Sequence, residues 1–246
     1  MKIICTKSDL LAGVSIVLKA IPSRTTMTIL ECILIDASAG EIKLTANDME
    51  LGIETVIKGE IEQRGKVAID AKIFSDIIRK LPDSEVTIET DDNYVARIIC
   101  EKANFTISGK AGDDFSYLPY IEKDKFIELS KFALKEVIRQ TSFSIADNES
   151  SNRIMTGELF EINENNLRVV SLDGHRISIR NIELNSSYEP IKVIVPGKTL
   201  NEISKILSGE ADEMVEIFFT NNHILFEFDN TKVVSRLIDG EFFKID

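Results

Sequence analysis

The chain has 246 residues, 43% of them hydrophobic, and a formal net charge of −12. That length fits one large or two ordinary domains with real cores, and no apolar run approaches the roughly 20 residues a membrane helix needs. Cys5, Cys32 and Cys100 fall at no paired spacing, which excludes a disulfide framework or zinc site and points to a reducing, cytoplasmic setting.

Residues 1–5 read as a first strand, too short in apolar length for a signal peptide. Leu10, Leu11, Val14, Val17, Leu18 and Ile21 recur at helical spacing, so a helix runs over 7–20, with Ser8 as a cap and Pro22 as its stop. Strands follow at 29–36, 41–46, 50–58 and 65–69. Asp70 opens a second helix over 71–81, striped by Ile73, Phe74, Ile77, Ile78 and Leu81 and ended by Pro82. Strands at 85–90, 94–100 and 104–108 come next, and the polar run Glu122-Lys123-Asp124-Lys125 reads as a linker.

The order then restarts. Ser130 caps a helix over 130–140, strands follow at 154–162, 167–171, 175–184 and 191–195, and Pro196-Gly197 opens a fourth helix over 197–207. Strands at 214–220, 223–228 and 231–237 complete the set. Landmarks repeat at nearly constant offset: Asp48 and Asp173 lie 125 residues apart, Lys72 and Lys198 126, Phe115 and Phe242 127. The chain therefore reads as two tandem copies of one unit, 1–124 and 125–246. Two helices cannot cover every strand, so each copy is expected to be α+β, with two helices packed on antiparallel sheets.

The acidic net charge argues at face value against a nucleic-acid partner. Sorted by element, it does not. The four helix windows 7–24, 71–81, 130–140 and 197–207 hold eleven basic and four acidic residues, a balance of +7 that leaves −19 for the rest. Lys131, Lys135 and Arg139 step by four and are expected on one stripe opposite the apolar one. For a single helix, a solvated face with i,i+4 pairs explains this. Four helices of one sign favour a common anionic partner, met through phosphates and without base readout.

Catalytic signals are poor. Ser171, Asp173 and His175 alternate along one stretch, whereas relayed triads converge from separate elements. No Gly-rich phosphate loop, metal-ligand cluster or dinucleotide fingerprint appears, so neither cofactor nor metal is expected. His223 sits in an alternating strand and reads as structural.

Several stretches together carry a resemblance: Ile21-Pro22-Ser23-Arg24, Leu44-Thr45-Ala46-Asn47-Asp48, Ser171-Leu172-Asp173-Gly174-His175-Arg176, Ile194-Val195-Pro196-Gly197-Lys198 and Ser235-Arg236-Leu237-Ile238-Asp239-Gly240. The chain resembles the bacterial sliding clamp, the beta subunit of DNA polymerase III, over its whole length. The resemblance implies the DNA-clamp fold and a non-enzymatic processivity factor whose helices face sequence-independent double-stranded DNA. It implies Arg24 and Lys198 as DNA contacts, with Lys131, Lys135, Arg139 and Arg79 added from the helix charges. It also implies a groove for short linear motifs of replicative polymerase, clamp loader and repair proteins, formed by Met155, Leu172, Gly174, His175, Arg176 and Ile177, with Phe242 and Phe243 nearby. On the residues alone, without the resemblance, Met155, Leu172 and Ile177 read as ordinary core.

Two departures stand out. After Gly240 the family commonly has an aromatic followed by proline, and here Glu241-Phe242-Phe243-Lys244 lacks the proline. The family also has three units per chain and closes as a head-to-tail homodimer, whereas these residues correspond to the first two. The expectation is a largely monomeric polypeptide that does not close a ring, with Phe105 and Ile107 marking the ring interface. A duplicated structural module without DNA binding, and an enzyme of nucleic-acid metabolism, are the competing readings.

Overall fold

The computed structural model describes residues 1–147, 152–207 and 212–245. The chain divides into two compact units, Met1–Leu118 with Asn230–Lys232, and Pro119–Asp229 with Val233–Asp246.

The first unit contains β1 (Lys2–Thr6), α1 (Lys7–Val17), β2 (Cys32–Asp36), β3 (Ile42–Asn47), β4 (Leu51–Ile57), β5 (Glu60–Gln63), β6 (Lys66–Asp70), α2 (Ala71–Lys80), β7 (Glu85–Thr90), β8 (Val95–Cys100), β9 (Ala103–Ser108) and β10 (Lys110–Ala111). Its strands pair antiparallel in the orders β5-β1-β7-β8-β9 and β10-β6-β2-β3-β4. The helices α1 and α2 pack on each other, and α1 also lies on β3 and β4. Gly13 allows that approach, because a Cβ there would collide with Ile57 and Leu44.

The second unit contains β11 (Phe126–Ser130), α3 (Lys131–Thr141), β12 (Gly157–Leu172), β13 (Ile177–Pro196), α4 (Gly197–Ile206), β14 (Met214–Phe219), β15 (His223–Phe228) and, from Val233 on, β16 (Thr231–Arg236). Strands β12 and β13 form one long antiparallel hairpin, and the order β16-β15-β14-β11 runs through the rest. Again the helices pack as a pair, α3 with α4, and α3 covers one face of the hairpin.

Local chemistry accounts for the boundaries. Thr6, not Ser8, caps α1 by accepting from the Asp9 amide at 3.0 Å. Asp70 accepts from Ile73 at 2.8 Å and Ser130 from Ala133 at 3.1 Å, so the same orphan donor is satisfied at three helix starts. The sequence pattern splits β12 at residues 163–166, where Asn163, Glu164, Asn165 and Asn166 interrupt the apolar alternation. The backbone ladder nevertheless continues through them with register shifts at Ile162/Glu164 and Glu164/Asn166, a bulge with Glu164 at φ 53. The short strands β5 and β10, and β11 with only two buried residues, carry too little alternation to show in sequence.

Each unit has its own core, with Leu10, Val14, Ile33, Phe74 and Ile78 in the first and Leu134, Ile138, Phe160, Leu200 and Ile203 in the second, all essentially inaccessible. Each such side chain contributes roughly 1.5–3 kcal/mol by leaving water. Among the described residues no helix is long and apolar enough to cross a membrane.

One buried group breaks the apolar pattern. Glu158 on β12 is 0% exposed beneath α3. Thr141 Oγ1 donates to its Oε2 at 2.9 Å, while Oε1 has no partner among the described residues. Burial pushes its carboxyl from the ordinary 4.5 to about 8, only partly opposed by the Thr141 hydrogen bond. The fold holds this proton where the unfolded chain releases it, so the contribution of Glu158 to stability is fully present below pH 4.5 and is lost as pH rises through about 8. Glu158→Gln is expected to remove that decline, which is on the order of a few kcal/mol, since each tenfold gain in proton affinity on folding is worth about 1.4 kcal/mol. Urea denaturation at pH 5, 7 and 9 measures it: the wild-type midpoint should fall relative to the variant's as pH rises.

Candidate functional site

The same turn is built once in each unit. Between β3 and β4, Asp48 Oδ1 accepts from the amides of Glu50 at 3.0 Å and Leu51 at 2.6 Å. Between β12 and β13, Asp173 Oδ1 accepts from those of His175 at 3.0 Å and Arg176 at 3.1 Å. The residue after each aspartate is left-handed, Met49 at φ 75 and Gly174 at φ 87. The aspartate satisfies two amides that the reversal would otherwise leave unpaired. The His175 amide bond first, and then the hydrogen bond from the Arg176 side chain, hold the Asp173 carboxyl below its ordinary range.

The two copies part company beside the turn. In the first unit the flanking pair is Asn47 and Gly52. Asn47 Nδ2 donates to the Ser116 carbonyl at 3.3 Å, and the Leu118 side chain lies where a Cβ on Gly52 would be. That seat is taken by the unit's own following segment. In the second unit the flanking pair is Leu172 and Ile177. Leu172 joins a buried cluster with Leu159, Val170, Ile194, Ile238 and Phe242, against which Met155 packs half-buried. Directly opposed residues share a face, so Ile177, opposite Leu172, and Ile179, opposite Val170, extend that apolar surface outward. They are 55% and 40% exposed. The other face of the hairpin meets α3 and the residues after it: Ser171 Oγ donates to the Thr141 carbonyl at 2.6 Å, and the Ser178 and Ser144 hydroxyls pair at 2.7 Å.

The structure thus gathers Met155, Leu172, Ile177 and Phe242 at one surface, with Gly174, His175 and Arg176 exposed at its end. Phe243 is exposed and stands edge-on to Phe242 at 5.8 Å. Arg176 is held by Asp173 Oδ2, which accepts from Nε at 2.8 Å, and its guanidinium lies 5.7 Å from the Phe143 ring centre. Sequence reasoning missed Ile179 and the cluster members Leu159, Val170, Ile194 and Ile238. The alternation of Ile177 with Ile179 carried a signal for the first. Ser171 is fully buried, and its hydroxyl is committed to Thr141 while Asp173 serves the turn.

The helix cations separate into two kinds. Arg24 lies in a bend beyond the end of α1 and not on a helix; it, Lys198 on α4 and Arg79 on α2 are exposed, Arg79 lying 3.9 Å from Asp76. The expected stripe of Lys131, Lys135 and Arg139 is not one face. Lys131 is 1% exposed and aligns with the buried Leu134 and Ile138 at helical spacing. Its Nζ donates to Glu213 at 2.6 Å and to both oxygens of Asp229, beside the Phe228 ring. Burial opposes that charge, but the two carboxylates outweigh it and raise the pKa. Lys131 is therefore committed to a buried ion pair and does not share an exposed face with Arg139. Lys135 is half-buried and donates to the Leu207 carbonyl at 2.9 Å, just past the end of α4, and Arg139 is exposed with a two-pronged bond to Glu136.

On the edge strand β9, Phe105 and Ile107 face the same side, opposite Ile98 and Ala96. Ile107 is 7% exposed and belongs to the unit's own core, whereas Phe105 is 39% exposed at its margin. Among the described residues no group of three or more His, Cys, Asp or Glu side chains could hold a metal ion.

Comparison with known proteins follows the same division. Residues 1–119 match the family described as DNA polymerase III beta subunit, N-terminal domain, and residues 128–244 match its central domain. The beta sliding clamp of Staphylococcus epidermidis is 37% identical over 233 residues, covering 92% of this chain and 61% of the relative. The chain thus spans about three-fifths of the length of such curated relatives. A DNA polymerase III beta subunit from Eubacterium rectale superposes with a TM-score of 0.97 at 70% identity, covering 99% of this chain and 67% of that one. The sliding clamp of Bacillus subtilis gives 0.95 at 35% identity, covering 99% and 66%.

Asp173→Ala should leave two turn amides without their acceptor and destabilise the second unit by about 1–2 kcal/mol. Asp48→Ala should do the same to the first unit, and chemical denaturation followed by hydrogen exchange of each turn's amides would separate the two losses.

Proposed function

The chain belongs to the bacterial sliding-clamp family, the DNA polymerase III beta subunits, and we propose that it acts there as a non-catalytic processivity factor in the bacterial cytoplasm. In this reading double-stranded DNA meets the exposed helix cations, and the polymerase, clamp loader and repair proteins dock short linear motifs on the second unit. The observation that carries it is the seat beside the Asp173 turn. Two exposed isoleucines continue a buried apolar cluster and end at His175 and Arg176, whereas the counterpart in the first unit is filled by Leu118. An apolar strip with polar groups at one end suits an extended peptide carrying large apolar side chains and a glutamine. A polymerase tethered in this way gains an effective concentration on the order of mM.

Arg24, Lys198 and Arg79 are the proposed phosphate contacts, with Arg139 and Lys135 weakened by their internal partners. Contact with phosphates alone carries no sequence information, which a factor that must move along DNA requires. The exposed Phe105 on edge strand β9 is the proposed ring contact. The head-to-tail closure implied by the family would take its partner surface from outside these two units.

For the groove, fluorescence anisotropy with a labelled motif peptide should show about tenfold weaker binding for His175→Ala or Arg176→Ala. Unchanged affinity in both variants would refute the assignment. For DNA, Arg24→Ala with Lys198→Ala should weaken duplex binding at low ionic strength equally for all sequences and reduce the salt slope by about 2. Lys131→Met should lower stability and leave that slope alone. Duplex binding unaffected by the double substitution would instead favour a protein-binding module without DNA contact.

A further inference from the structure

We propose that the apolar seat of the second unit continues into an acidic trough that binds lysine or arginine residues flanking a docked peptide; this rests on the groove reading above. A cavity of about 330 Å³ is lined by Leu159, Ile194, Ile238 and Phe242, four members of the cluster beneath the seat. The same cavity is also lined by Lys192, Val193 and Asn221, and these three residues line a second cavity of about 420 Å³ as well. The two spaces therefore adjoin through Lys192 and Asn221, and every residue named belongs to the second unit.

The charges along this path are unbalanced. Asp239 and Glu241 line the first cavity, Glu122 and Asp124 the second, and all four are exposed. Among the described residues none of the four has an ion-pair partner within 4.0 Å. Of the residues lining the two cavities, Lys125 and Lys192 alone oppose them, and Lys192 lies 3.6 Å from Glu161. An extended chain leaving the apolar seat along the cavities thus passes four unneutralised carboxylates and one uncommitted ammonium. That charge pattern favours basic flanks and disfavours acidic ones, a repulsive element as well as an attractive one. Because the carboxylates are exposed, the gain is modest and sensitive to salt.

The test uses the 246-residue chain and labelled peptides sharing one motif, flanked on either its N-terminal or C-terminal side by three lysines, three serines or three glutamates. Fluorescence anisotropy in 50 mM and 500 mM salt should show one lysine-flanked peptide binding about three- to tenfold tighter than its serine counterpart in low salt only. Asp124→Asn with Glu241→Gln should abolish that gain and leave the serine-flanked peptides unchanged. Equal affinity of lysine- and serine-flanked peptides on both sides would overturn the trough while leaving the groove standing. A lysine gain that survives the double substitution would also overturn it, assigning the effect to the general acidity of the chain. Failure of every peptide to bind would overturn both readings.

Discussion

One carboxylate oxygen accepting from two amides in succession sets the geometry on which both units depend. Asp48 and Asp173 each hold a reversal between two strands, and the reversal decides which strand residues oppose each other. A slip of one residue would move every side chain of the hairpin to its other face. In the second unit that would bury Ile177 and Ile179 under α3 and expose Ser171 and Ser178, stranding hydroxyls that now meet Thr141 and Ser144. The turn and the polar seam below it therefore enforce one register between them. Outward apolar residues are a consequence of that register.

Duplication supplies an internal comparison that a single domain would not. The two turns share the same pair of amide-to-aspartate bonds, yet where one copy has Asn47 and Gly52 the other has Leu172 and Ile177. With glycine, the seat admits Leu118 of the unit's own chain. With isoleucine, the branched side chain occupies that space and leaves apolar surface facing solvent. The fold gains nothing from such exposure, which forgoes roughly 25 cal/mol for each Å² left in water. An apolar surface maintained beside a charged turn is most simply accounted for by a ligand that covers it.

Much of the fold was legible because its periods are clean. Helix stripes such as Phe74, Ile77 and Ile78, and the constant offset between copies, specify two α+β units without any coordinates. What sequence could not show was which faces tertiary packing claims. Lys131 reads as one step of a basic stripe, but its helical spacing to Leu134 and Ile138 directs it inward, and only the approach of Glu213 and Asp229 makes a buried ammonium tolerable. Glu158 likewise sits in an ordinary-looking strand, and nothing local reveals that α3 covers it. The seat itself was half legible: Leu172 and Ile177 stood out through the surrounding motif, while Ile194 on β13 and Ile238, just past β16, join from positions further along the chain.

The removal of Lys131 from the cationic set, and the internal partners of Lys135 and Arg139, sharpen the physical requirement for a proposed DNA contact. A charge fixed in a short, well-aligned ion pair offers little to a passing phosphate, since the new bond replaces one already made. An exposed side chain such as Arg24 keeps its rotamer freedom and its hydration until a phosphate arrives, so the contact is shallow. Shallow and repeated contacts retain a polyanion without favouring any one register. The acidity of the remaining chain adds a constraint, repelling phosphates from most other surfaces. A net charge of −12 and an affinity for DNA are therefore compatible, provided the positive residues are few, exposed and gathered on the helices.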